Sequence, residues 1–67
     1  MQTLTDLRAS VRKAAHDFRC ALQWLSIANE LRLPAVKIDL AIDRVVQAGL
    51  ASEAAYIALL AHYGEEP

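Results

Sequence analysis

Apolar residues recur at Leu4, Leu7, Val11, Ala14, Phe18, Ala21, Leu25 and Ala28, in alternating steps of three and four. Such a run fits an amphipathic α-helix, because a strand places alternate residues on one face and would scatter these positions over both. Thr3 is a suitable N-cap, and Asp6, three residues on, completes a capping-box pattern. The spacing predicts a helix over about residues 4–31, roughly 42 Å long at ~1.5 Å per residue. Ala15 and Leu22 widen its apolar stripe on one flank, and Trp24 and Leu31 widen it on the other.

Pro34, Gly49 and Gly64 punctuate the rest of the chain. Leu33-Pro34 ends the first helix, since a proline ring disfavours helical geometry at the preceding residue, and Pro34 suits the first turn of a second. Ile38, Ala41, Ile42, Val45 and Ala48 form one face of a helix over about 35–48, broadened by Val36, Leu40 and Val46, with Lys37, Asp43, Arg44 and Gln47 on the solvated side. Gly49 is read as the left-handed residue that stops it. Ser52 then caps a third helix over about 53–63, with Glu53 favourable at its positive end. Residues 64–67 are left as an acidic tail. The expected fold is all-α: a long amphipathic N-terminal helix followed by a shorter two-helix hairpin.

Helices of roughly 21 and 17 Å, at the same ~1.5 Å rise, cover only about half of the first when folded as a hairpin. Each large apolar side chain left in water costs on the order of 1.5–3 kcal/mol. The expected remedy is a homodimeric helical bundle, or else a monomer that awaits a heterologous helix. Size points the same way: the chain has 67 residues, and a domain of ~60 residues buries only about 60% of its unfolded surface. No internal disulfide can help, because Cys20 is the only cysteine. A lone thiol fits a reducing cytoplasm. No charged cap followed by an apolar core opens the chain, so no signal peptide is expected. The longest charge-free stretch, Ala54 to Gly64, falls short of the ~18 residues of a membrane span.

Little in the sequence suggests catalysis. His16 and Cys20 share a helix face, and either a metal site or a thiol nucleophile would need further groups. His62 is the only other histidine, and no CxxC or HExxH spacing occurs. Asp39 and Asp43 also share a face, with Lys37 and Arg44 nearby and no third ligand in view. No catalytic residue, metal or cofactor is therefore expected. The net charge of −1 removes the general electrostatic reason for binding nucleic acid or anionic membrane. Arg8, Arg12, Lys13, His16 and Arg19 do gather on the polar side of the first helix, but Asp6 and Asp17 interrupt them. They suit a solvated face or a clamp for an acidic partner.

Trp24 and Ile27 stand beside Leu22, Leu25, Leu31 and Leu33, making the end of the first helix apolar almost all round. Such a segment is either dimer core or an exposed docking surface, and tryptophan is enriched in binding hot spots. Alanines at 51, 54, 55, 58 and 61 permit close helix approach, with Tyr56, Ile57, Leu60 and Tyr63 as larger knobs. The function expected is a non-catalytic interaction module of adaptor, co-chaperone or inhibitor type that self-associates and binds an unidentified protein partner. Its contact residues are Phe18, Leu22, Trp24, Leu25, Ile27 and Leu31, with Arg12 and Arg19 as rim charge.

Residues 42–63 resemble the two helices of ribbon-helix-helix repressors and antitoxins, in which Gly, a short turn and Ser-Glu open the second helix, here Gly49-Leu50-Ala51-Ser52-Glu53 followed by Tyr56-Ile57. That family reads bases with a preceding strand, where this chain has a helical pattern. The same stretch can be laid on a helix-turn-helix with Gly49 in the turn, and its second helix would then offer Glu53, Ala54 and Ala58 without Lys or Arg. A small DNA-binding regulator is thus the alternative function. In size and pattern the chain also looks like small secretion co-chaperones and phage anti-activators.

Overall fold

The computed structural model describes residues 3–65. They form two helices and no strand: α1, Leu4–Glu30, and α2, Ala35–Glu65. The helices lie side by side as an antiparallel hairpin measuring 52 × 16 × 14 Å. The all-α class and the long first helix are as the sequence predicts.

α1 begins as its capping pattern dictates. The Thr3 hydroxyl accepts from the Asp6 backbone N–H at 3.2 Å. The Asp6 carboxylate accepts in return from the Thr3 N–H at 3.3 Å. Two otherwise unsatisfied donors are so paired, and a negative charge sits on the helix's positive end.

The other end of α1 closes through a tight four-residue turn. The Leu33 N–H donates to the Ala28 carbonyl at 3.1 Å and the Arg32 N–H to the Asn29 carbonyl at 3.1 Å, the paired bonds of a Schellman motif. Arg32 occupies the left-handed position, with φ 53°. Glycine is the usual residue there, because a Cβ crowds the following carbonyl. The Pro34 carbonyl then accepts from the Ile38 N–H at 3.1 Å. Pro34 therefore stands as the residue just before α2, where its missing N–H costs nothing.

The two short helices expected over about 35–48 and 53–63 are one continuous helix of 31 residues. Gly49 is not a left-handed cap, since no glycine has positive φ among the described residues. Its missing side chain serves packing instead. A Cβ there would lie 3.3 Å from Cε1 of Phe18, so the phenyl ring packs on the bare backbone and would have to shift by a few tenths of an ångström to admit a side chain. Ser52, read as a cap, is half-buried in mid-helix. The helix also passes Gly64 to end at Glu65; the last two residues of the expected acidic tail, Glu66 and Pro67, lie outside the described residues.

Continuity of α2 reveals a second heptad run. Ile38, Ala41, Val45, Ala48, Ser52, Ala55, Leu59 and His62 are all buried or half-buried. They oppose the Leu4-to-Ala28 stripe, which is likewise buried or half-buried throughout. In the register set by Phe18 on Gly49, large residues fall opposite small ones toward the turn, with Phe18 by Ala48, Leu25 by Ala41 and Ala28 by Ile38, whereas toward the open end Leu7 falls by Leu59 and Ala14 by Ser52. Alternation of this kind lets two helices approach closely without overpacking. α2, about 46 Å long at ~1.5 Å per residue, covers the whole of α1. The expectation that half of the α1 stripe stays open is therefore corrected.

Two stability predictions follow from the turn and the seam. Arg32→Gly should stabilise the hairpin by about 1 kcal/mol, by removing the cost of a left-handed non-glycine residue, read as a raised urea midpoint. Gly49→Val should lower stability by about 1–3 kcal/mol through overpacking. In a Phe18→Ala background the same substitution should cost far less, and equal costs in both backgrounds would refute the contact.

Candidate functional site

The seam divides the hairpin into two sides, each drawing residues from both helices. One side is marked by Arg8, whose guanidinium donates to the Tyr63 hydroxyl at 2.9 Å, and by Arg12, which lines a shallow groove with Arg8, Val11 and Leu59. Helical register adds Ala15, Arg19 and Leu22 from α1 and Ile42, Val46, Glu53, Tyr56 and Leu60 from α2. The opposite side carries Asp17, Cys20, Trp24 and Arg44 around one groove and Ser10, Lys13, Gln47 and Ala51 around another.

The sequence-predicted contact residues separate accordingly. Phe18 and Leu25 are half-buried in the seam, held against α2 within the same chain. Leu22, Trp24, Ile27 and Leu31 are exposed. Leu22 falls on the Arg8 side, whereas Trp24 falls on the other. Arg12 and Arg19 are exposed and join Leu22 rather than Trp24. Trp24 stands between two open grooves that share Arg44, with Lys37 and Leu40 lining one and Asp17 and Cys20 the other. The indole thus presents its open face, 43% exposed, inside a rim bearing two cations from α2.

Sequence reading missed the outward face of α2. Thirteen large hydrophobic side chains are exposed among the described residues, and nine belong to α2: Val36, Leu40, Ile42, Val46, Leu50, Tyr56, Ile57, Leu60 and Tyr63. Among the described residues of both helices, the buried hydrophobic ones are Leu7, Ala28 and Ala41. The signal was present in the sequence. Extending the 38-41-45-48 spacing through Gly49 to 52, 55, 59 and 62 uses up one face and leaves these large residues over. By length and composition α2 is also long and apolar enough to cross a membrane, as the core helix of a soluble protein can be.

Total accessible surface makes the same point. The chain exposes 5292 Å², where a compact monomer of 7.4 kDa exposes about 4200 Å². The surplus of roughly 1000 Å² is comparable with the ~800 Å² that each partner buries in a standard interface.

The polar clusters hold less. Cys20 Sγ and His16 Nε2 are 3.5 Å apart on an exposed part of α1. His62 lies in the α2 seam near the opposite end of the hairpin, and no group of three or more potential metal ligands exists among the described residues. Asp39 and Asp43 are both exposed on α2. Of the cationic cluster on α1, Arg8, Arg12 and Arg19 lie on one side and Lys13 on the other, so they do not form one patch. The repressor-like layouts both require a turn at Gly49, and the helix runs straight through it; the segment before it is α1 and a short turn, not a strand. Comparison with family models, curated proteins and solved structures finds no match to this chain.

The open position of Cys20 gives a direct check on the arrangement. A small maleimide should label the native protein within a few-fold of its rate in urea, and strong protection would place Cys20 under a covering surface.

Proposed function

We propose that this chain is a non-catalytic helical-hairpin interaction module, of adaptor, co-chaperone or inhibitor type, that self-associates and docks on a partner protein. The observation that supports this reading is the exposure of thirteen large hydrophobic side chains against three buried apolar residues among the described residues. Scattered exposed apolar residues are ordinary, but contiguous apolar surface rimmed by charge marks interaction sites.

The partner's place is the turn end of the Trp24 side. Trp24, Ile27, Leu31 and Leu40 supply apolar anchors, while Lys37 and Arg44 supply a cationic rim. An amphipathic helix with acidic flanks fits that chemistry, its apolar face on the anchors and its carboxylates against the rim. The reading calls for no metal or cofactor and places the protein in the cytoplasm.

A DNA-binding regulator is the rival. It rests on Arg8, Arg12 and Arg19 alone, one of which is already hydrogen-bonded to Tyr63.

The decisive experiment is affinity capture with the tagged chain from nuclease-treated native lysate. A stoichiometric protein should be retained, and Trp24→Ala should weaken its binding by about 2 kcal/mol or more with helicity by circular dichroism unchanged. Loss of helicity would make Trp24 structural. Tight binding to duplex DNA that falls steeply with salt would favour the rival instead.

A further inference from the structure

The Arg8 side of the hairpin carries a second, distinct surface. Leu22, Ile42, Val46, Tyr56, Leu60 and Tyr63 are each between 43% and 52% exposed on it. Charge is unevenly divided between its two helices. The α1 half bears Arg8, Arg12 and Arg19 with no acidic residue, and the α2 half bears Asp39 and Glu53 with no cation.

We propose that a second copy of this chain covers this side, with the two hairpins stacked turn beside turn and α1 of each lying on α2 of the other, as an antiparallel four-helix bundle. The inference rests on the self-association in the proposed function and adds its face, partner and arrangement. Area is one support. The exposed parts of the six apolar side chains amount to on the order of 500 Å² per copy, and the aliphatic stems of three arginines bring this near the ~800 Å² per partner of a stable interface.

Charge selects the arrangement. A twofold axis along the helices keeps every residue at its own height, so the register set by Phe18 on Gly49 also says what meets across the interface. Arg12 and Glu53 stand within one helical turn of the same level. Each copy's Arg12 thus meets Glu53 of the other, twice by symmetry, and Leu22 falls on Ile42 and Val46. The other isologous stacking, with the axis across the helices, sets α1 on α1 and brings three arginines against three. Like charges so placed oppose association. Trp24, Cys20 and the cationic rim stay on the outer faces of the dimer, free for the partner.

The test is sedimentation equilibrium of the full chain from 1 to 50 µM, with charge swaps at two exposed positions outside the seam. Wild type should be dimeric. Arg12→Glu and Glu53→Arg should each weaken the dimer about tenfold or more, with helicity retained. The double variant should return to within about threefold of wild type, and mixing the two single variants should form a heterodimer. A wild-type monomer throughout would remove self-association altogether. A dimer indifferent to both single swaps, or a double variant that stays weak, would leave self-association standing and overturn this face and arrangement. Flotation of wild type with phosphatidylcholine and phosphatidylserine vesicles, abolished by Val46→Glu, would give the face to lipid and also overturn it.

Discussion

Phe18 lies across Gly49, midway along an α2 that runs on without a break. A glycine in a helix interior costs about 1 kcal/mol relative to alanine, which is why it so often marks an end. Ending the helix here would have cost more. It would strand four carbonyls and four N–H groups at new termini and withdraw the lower half of the α2 stripe from α1. With the ring over the bare backbone, the absent side chain becomes room for a large residue of the other helix, and α2 runs unbroken from Ala35 to Glu65.

From that continuity comes the distribution of apolar surface. A two-helix hairpin has a core one layer thick, and six of the sixteen seam positions in this one are alanine. Ala28 and Ala41 are completely covered, while Leu22, Val46 and Leu50 stay open. The completely covered residues are alanines, while the larger seam residues other than Leu7 are half-buried and thirteen other large side chains lie outside the seam. The seam therefore determines the shape of the hairpin but buries little area, and marginal stability at this size is what a second hairpin would relieve.

The two sides of the seam are chemically different, which permits two distinct uses. Cations of α1 and carboxylates of α2 flank the apolar strip on the Arg8 side, a pattern complementary to itself after a twofold rotation. On the other side, Trp24 is rimmed by Lys37 and Arg44 of α2, with Asp17 of α1 in the same groove, and its open indole beside two cations suits an acidic partner. Self-association and partner binding can then coexist without competing for one surface.

Local chemistry was legible residue by residue. The Thr3–Asp6 capping box, the eight-residue stripe of α1 and the break at Pro34 depend on neighbours a few positions away, and their spacing announces them. The turn was legible in place but not in form, because nothing near Arg32 marks it for left-handed backbone. Of the candidate contact residues, Leu22, Trp24, Ile27 and Leu31 are on the surface, whereas Phe18 and Leu25 are in the seam; helical spacing puts a residue on a face without saying what covers that face. By itself, then, the sequence determined an all-α chain with a long capped first helix and more apolar surface than 67 residues can hide. Only the tertiary structure decided that Gly49 joins rather than separates, that the exposed surplus is mostly on α2, and that Phe18 and Leu25 are covered by α2 of the same chain. The physical reason is that a glycine's local cost is known in advance, but the packing that offsets it comes from a ring thirty-one residues away.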